Sequence, residues 1–413
     1  MAIQDCCSQP GLRPFDDARA DMLGQLDVVA AAELVPLEQA LNRVLAEAVI
    51  SPLDVPAFAN SAMDGYALRA EDTMTGEKLE LIGTSLAGHP FTGRVDAGQC
   101  VRIMTGAALP LGADSVVMQE NCTSEHNRVA ITGKVEPGQH VRQAAEDLAQ
   151  GETVFQAGMR INARVLSVLA SLGLEQVNVR RPLRVALLST GDELRSPGDL
   201  LAPGEIYDSN RIGLAAMLTR LGVEITDYGI IADDPELIRK AFLKAAASHD
   251  ALITSGGVSV GDADHTKVVL EDVGRIGFWK LAIKPGKPFA FGHIDRCAFF
   301  GLPGNPVSAA VTFHLLVRPA LATLAGERLA PPLTLQATAL MPFKKSPGRM
   351  DFQRGRVERQ ADGSLGVVPA GSQSSAVFSA MAEANCLLHL EQDRGPVETG
   401  ETVTLELIDG LYW

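Results

Sequence analysis

Between Pro182 and about Gly326, short apolar runs alternate with helical patterns, and this alternation constrains the fold more than any other feature. VALLST (185–190) reads as a strand. Asp208 or Ser209 is placed to cap a helix that runs to Leu221 and stops at Gly222. EITDYGII (224–231) is the next strand. Asp234-Pro235 joins an N-cap to an N1 proline and opens PELIRKAFLKAAAS. DALITSGG (250–257) is a third strand; apolar runs follow at FWKLAIKPG, PFAFG and AFFGLPG, then a helix from Pro306. Such alternation implies a doubly wound, mostly parallel sheet covered by helices on both faces.

The rest of the chain differs in character. At roughly 150 residues per domain, 413 residues allow two to four domains. PLEQALNRVLAEAV (36–49) puts Leu37, Leu41, Val44, Leu45 and Ala48 on one helical stripe, and helical periodicity returns at 162–172. From Ser51 to about Glu146, Gly, Thr and short Val/Ile runs indicate a β-rich module. From about Arg328, short strands separated by Gly and Pro turns form a small β domain. The expected fold class is therefore multidomain, α/β plus β. Residues 1–50 and 147–181 make a helical layer, 51–146 an inserted β-rich module, 182–327 the α/β domain and 328–413 a C-terminal β domain.

A hydrophobic fraction of 46% supplies a full core. The net charge of −14 argues against a nucleic acid or an anionic membrane as the main partner. An anionic substrate must then be held by local lysines, arginines, backbone amides or a metal. Six cysteines form no C-x-x-C pair and the first 20 residues carry no apolar run, so reduced thiols in a cytoplasmic protein are expected. The apolar stretch Val307–Leu324 contains His314, Arg318 and Pro319 and reads as a core helix rather than a membrane span.

In a doubly wound sheet, ligands bind outside the carboxyl ends of the strands. STGDEL (189–194), IADD (231–234), SGGVSVGDADHTK (255–267), KPGKP (284–288) and LPGNP (302–306) converge on that edge. Gly-rich loops there often serve only to turn the chain. Asp234 is accounted for as a cap, and Asp262 or Asp264 can cap the helix near His265. Asp192, Glu193, Asp233, Asp234, Asp262 and Asp264 cannot all be caps, however. Clustered carboxylates raise each other's pKa unless a cation is present, and hard oxygens suit Mg²⁺. Lys280, Lys284 and Lys287 supply local positive charge. Asn305 as N-cap, Pro306 at N1 and the amides of Val307 and Ser308 form an anion-accepting helix start, and Gly304 permits close approach. Together these features suggest an oxyanion between lysines, helix amides and a carboxylate-bound Mg²⁺.

Two other motifs compete. Gly256 to Gly261 has P-loop spacing, but Asp262 stands where the phosphate lysine belongs, which removes the NTPase reading. Gly257-x-Ser259-x-Gly261 fits a nucleophile elbow, with His293, His314 and His389 available downstream. No HGGG-like loop precedes it, and two aspartates follow at once. The histidines show no metal spacing, and Trp279 reads as core.

PAFANSAMDGYAL (56–68), RIMTGAALPLGADSVVMQE (102–120), STGDEL, SGGVSVGDADHTK, KPGKP and LPGNPVSA occur together and in order. This set resembles the molybdopterin molybdenumtransferase family, which includes the E domain of gephyrin, over essentially the whole chain. The resemblance implies that adenylated molybdopterin and molybdate yield molybdenum cofactor and AMP, with Mg²⁺ required. By the same resemblance, Asp264 and Asp233 look like metal or phosphate-side carboxylates. Glu193 would act near the pterin and metal, and Ser259 would hold the nucleotide phosphate. Lys280, Lys284 and Lys287 would meet the anionic substrate or molybdate, while Pro303 and Pro306 would shape the anion loop. Asp64, Thr105 and Asp147 match functional positions in or beside the β module; Arg354 and Ser375 look like molybdate-side residues. The family is similar to an elongated homodimer whose β module faces the partner's sheet. An upstream molybdopterin adenylyltransferase and acceptor molybdoenzymes are the implied protein partners. Two rivals remain: a binding scaffold, which would not need the acids and lysines, and an adenylyltransferase, which would consume ATP instead of releasing AMP.

Overall fold

The computed structural model describes residues 12–257 and 265–408. Its central sheet is built from β1 (Arg184–Thr190), β2 (Glu224–Ile231), β3 (Ala251–Ser255), β4 (Arg275–Lys280), β5 (Pro288–Ile294) and β6 (Cys297–Leu302). The spatial order is β2-β1-β3-β6-β5-β4. The first four strands in that order run parallel, and β5 and β4 complete the sheet antiparallel. The sequence reads as near-continuous apolar runs because both faces of β1, β3 and β6 are covered. Val185 and Leu187 face the cluster that includes Leu214, Leu218, Leu316 and Leu321, while Ala186 and Leu188 face Ile238, Phe242, Val269 and Leu270. Helices α1 (Ser209–Arg220), α2 (Pro235–Ala246) and α3 (His265–Val273) supply these partners, together with the helix from Pro306.

The predicted caps are present. Asp208 accepts from the Arg211 amide, Asp234 accepts from the amides of Glu236 and Leu237, and Gly222 adopts φ +70° just beyond α1. The last helix is continuous from Pro306 to Leu324 but irregular. It comprises α4 (Pro306–Thr312), a π-turn at Phe313–Val317 and α5 (Arg318–Leu324). Among the described helices it alone is long and apolar enough to cross a membrane, yet 89% of its most apolar window is buried inside the fold. It is a core helix.

The helix expected over Pro36–Val49 does not form. Ala32–Pro36 and Val44–Leu45 flank Gln176–Arg180 in a three-stranded sheet, with a 3₁₀ turn at Leu37–Gln39, and Val49–Ile50 pairs with Thr153–Phe155. Asn42 turns the chain at φ +63°, and two members of the predicted stripe, Leu41 and Ala48, are exposed. Pairing with distant strands outweighed a 14-residue periodicity. The helix at 162–172 is present as Ala163–Ser171, capped by Asn162.

The β-rich module is a six-stranded sheet, in spatial order Ser115–Met118, Gly65–Leu68, Gln99–Ile103, Leu79–Ser85, Arg128–Ile131 and Cys122–Glu125. The C-terminal strands Thr334–Ala339, Met350–Arg359, Leu365–Pro369, Cys386–Leu390 and Thr402–Leu407 close into a five-stranded barrel through pairing of Met350–Arg359 with Cys386–Leu390. One short strand from the α/β segment, Ile283–Lys284, joins this barrel beside Met350–Asp351. The KPGKP loop therefore lies where the two domains meet.

Candidate functional site

The carboxyl ends of β1, β2, β3 and β6 lie side by side, as the registers Thr190↔Ile231, Ser189↔Ser255 and Ser255↔Leu302 require. Lys280 ends β4 opposite Pro288, the start of β5, so KPGKP reaches the same edge. Asp192 Oδ1 accepts the Asp233 amide at 3.0 Å, which ties the β1 and β2 loops together. Asp234 is occupied as a cap; Glu193 and Asp233 are exposed on their loops. Ser259, Asp262 and Asp264 lie outside the described residues.

Among the described residues no three His, Cys, Asp or Glu side chains gather as a ready metal cage. Exposed carboxylates are nevertheless present at the strand ends. Thr190 Oγ1 is buried without a hydrogen-bond partner among the described residues, and a Cβ on Gly257 would come 2.7 Å from it and 2.2 Å from Thr266 Oγ1. The bare Gly257 backbone, at φ +64°, thus leaves a cradle lined with oxygens. This donor set fits Mg²⁺, which takes one or two carboxylates and completes its shell with substrate oxygens and water.

The lysines separate into two groups. Lys284 and Lys287 line a pocket of about 380 Å³ with Asn305, Ser308, Arg349 and Ser375. Lys280 is exposed at the end of β4, its carbonyl accepting the Arg13 amide at 2.8 Å, and it does not line that pocket. Lys284 Nζ stands 3.5 Å from the buried Asp351 carboxylate, which also accepts from Gln353 at 2.9 Å. Asn305 occupies the N-cap position but makes no side-chain capping bond. Asn305 lines the pocket wall. Pro303 is buried behind it and Pro306 holds the first helical position.

One expectation about this pocket needs correction. The Val307 amide is not open to a ligand, because it donates to the Ser375 carbonyl at 3.3 Å. Arg354 also takes an unexpected place. It is 1% exposed, absent from the pocket wall, and its guanidinium donates to the carbonyls of Ser372 (2.6 Å) and Ser374 (3.1 Å). Burial lowers its pKa, an effect partly offset by Asp351. Arg354 thus positions the loop that carries Ser375. Arg349, Gln373 and Asn210 carried no motif signal. Asn210 Nδ2 donates to Ser255 Oγ and to the Gly304 carbonyl, both at 2.8 Å, and so joins the β3 and β6 ends.

In the β module, Asp64 Oδ1 accepts both the amide and the hydroxyl of Thr105 at 2.7 Å. These two bonds, amide first, hold the exposed Asp64 carboxyl below its usual pKa. The segment 55–61 runs antiparallel to 141–148, through Val55↔Leu148 and Asn60↔Arg142. Asp147, exposed and with its amide on the Val55 carbonyl, sits at one end of this ribbon, and Asp64 lies beyond the other. Among the described residues, the hydrogen bonds of Asp64, Thr105 and Asp147 all stay within this part of the chain.

Three family models match the chain. "MoeA N-terminal region (domain I and II)" covers residues 13–173, "Probable molybdopterin binding domain" 186–323, and "MoeA C-terminal region (domain IV)" 336–408. A molybdopterin molybdenumtransferase of Haemophilus influenzae is 47% identical over 399 residues, 96% of this chain and 99% of that protein. Molybdopterin molybdenumtransferase 2 of Mycobacterium tuberculosis is 37% identical over 89% of this chain and 92% of its own length. The crystal structure of a molybdopterin biosynthesis MoeA protein from Pyrococcus horikoshii superposes with a TM-score of 0.84 at 28% identity, covering 96% of this chain and all of that one.

Proposed function

The chain belongs to the molybdopterin molybdenumtransferase (MoeA) family and is an enzyme of molybdenum cofactor biosynthesis, and from that premise we propose how its residues share the work. The substrate is adenylated molybdopterin, the second substrate is molybdate, and the products are molybdenum cofactor and AMP. The single observation that carries this assignment is the pocket where Lys284 and Lys287 meet Asn305, Ser308 and Ser375. A tetrahedral dianion needs fixed positive charge and hydroxyl or amide donors, and those side chains supply both.

Asp233 and Asp264 hold Mg²⁺, which would neutralise charge on the phosphoric anhydride when bound. Ser259 and the Gly257 backbone hold the nucleotide phosphate. Glu193 and Lys280 border the pterin and its phosphate. Pro303 and Pro306 keep the loop rigid, and Arg354 positions Ser375. The two sulfur ligands of molybdenum come from the substrate, so no paired cysteine is needed. Consistent with that, Cys100, Cys297 and Cys386 are buried with thiols pushed up to about 12, mainly by burial. Catalysis is then positioning and electrostatic stabilisation rather than covalent chemistry.

Asp64 and Thr105 from the β module, and Asp147 from just after it, act across a homodimer, in a cytoplasmic enzyme of four units divided near residues 50, 146, 181 and 327. An upstream adenylyltransferase and acceptor molybdoenzymes are its proposed protein partners. The deciding experiment follows AMP release from adenylated molybdopterin with Mg²⁺, with and without molybdate. Molybdate-dependent release is expected and should vanish on chelation of Mg²⁺. Binding without release under all conditions would overturn the proposal.

A further inference from the structure

Among the described residues no carboxylate lines the pocket of Lys284 and Lys287, yet one stands just outside it. Asp351 lies on the barrel strand Met350–Arg359, between Lys284 on one neighbouring strand and Leu390 on the other. It is 4% exposed. Its carboxylate stands 3.5 Å from Nζ of Lys284, a side chain that remains 45% exposed on the pocket side. Gln353 holds the acid in place, its Nε2 donating to Asp351 Oδ2 at 2.9 Å and to the Lys344 carbonyl at 2.8 Å.

A carboxylate buried in a barrel wall is costly unless a cation faces it. An apolar side chain would close the wall without that cost, so packing alone does not account for Asp351. Two cations face it. One is the buried Arg354, whose charged form the acid favours against burial. That guanidinium is already oriented by the carbonyls of Ser372 and Ser374. The other is Lys284, a point charge on a flexible four-carbon stem at the pocket wall. Lys284 is therefore the cation that gains most in order from a fixed acid beside it.

We propose that Asp351 is a positioning residue for the transfer reaction, holding the Lys284 ammonium at the pocket wall so that the oxyanion meets a charge already in place. The inference rests on the reading of this pocket as the oxyanion site. An ammonium carries three donors, and Asp351 faces one side of it, which leaves donors for the ligand. Ordering one flexible side chain before the ligand arrives is worth about fivefold in binding.

The test is a double-mutant cycle on the full chain, read as the Kd for molybdate alone by isothermal titration, with melting temperature as the check on folding. Asp351→Asn keeps an oxygen for Gln353 and removes the charge; it should raise Kd about fivefold. In a Lys284→Met background the same substitution should change Kd by less than about twofold, whereas in a Lys287→Met background the full effect should remain. Asp351→Glu keeps the charge one methylene further out and should recover part of the loss. If Asp351→Asn does not fold, the smaller shift of Asp351→Glu should itself disappear with Lys284→Met. An effect that persists without Lys284 would place the action of Asp351 on Arg354 or the barrel and overturn the proposal, as would an unchanged or lower Kd in Asp351→Asn. A parent chain that does not bind molybdate, or a Lys284→Met variant that binds it unaltered, would overturn the oxyanion reading of the pocket and the proposal with it.

Discussion

The Arg354 guanidinium donates to the carbonyls of Ser372 and Ser374, and Gln373 of the same loop exchanges two further bonds with the Arg354 backbone. One buried side chain thus fixes the loop that brings Ser375 into the anion pocket. Both guanidinium bonds come from Nη2, and lysine keeps the charge but is too short to place an amine at that point, so Arg354→Lys should cost about 2 kcal/mol of stability. On the proposed reading it should also raise KM for molybdate roughly tenfold with a smaller fall in kcat; steady-state kinetics at varied molybdate would separate the two effects. A fall in kcat alone would place Arg354 on the reacting atoms instead. Gly286 poses a backbone version of the same constraint. It adopts φ +105°, and a Cβ there would come 2.9 Å from Thr312 Cγ2. Gly286→Ala should strain the KPGKP loop by about 2 kcal/mol and lower turnover by an order of magnitude; a variant with unchanged melting and turnover would refute the fit. That the loops carrying Asp192, Asp233 and Lys284 meet at one edge was legible, because the strand–helix alternation predicts where loops converge. Arg354 was not, because a residue type does not disclose whether its donors meet a ligand or a carbonyl.

Elements whose signals are local were read correctly and those set by distant pairing were not. Asp234-Pro235 and Gly222 act within a few residues of themselves, and each stands where predicted. Val44–Leu45 owes its strand to Val179 and Arg180, far along the chain, and no window around residue 44 contains that information. The contact between the core helix and the C-terminal barrel was equally hidden. His314, in the π-turn, bonds one oxygen of the buried Glu406 at 2.9 Å, and His389 Nε2 stands 3.3 Å from the other. Burial alone would raise the Glu406 pKa, but His314 and then His389 more than offset it and bring the carboxyl down to about 2 from an ordinary 4.5. A depressed carboxylate contributes stability that is full above pH 4.5 and is lost as pH falls toward 2. Glu406→Gln should therefore destabilise the protein by about 3 kcal/mol at pH 7, and the gap to the parent chain should narrow below pH 4.5. Denaturant unfolding at several pH values measures this; a gap that stays constant down to pH 3.5 would show that the carboxylate charge is not what stabilises the contact.

At the scale of the whole molecule, the residues carried by the family motifs fall into two places. Lys284, Lys287, Asp233 and Ser375 belong to the sheet edge and the barrel beside it, whereas Asp64 and Thr105, among the described residues, bond only to each other and to their own module. A side chain that must touch substrate at the edge, yet is anchored in a separate six-stranded sheet, can act there only if the modules meet. The homodimer proposed above meets this requirement by setting one subunit's module against its partner's edge. Purified mixed dimers test that geometry directly, one subunit carrying Asp64→Asn and the other Asp264→Asn. Each homodimer of a single variant should be inactive, because both of its sites lack a required carboxylate. In the mixed dimer one site would combine the intact Asp264 of the first subunit with the intact Asp64 of the second, and the other site would combine both defects. Molybdate-dependent AMP release should therefore return to about half the wild-type value per dimer. If each site were built within one subunit, every site in the mixed dimer would lack one carboxylate, and no activity would return.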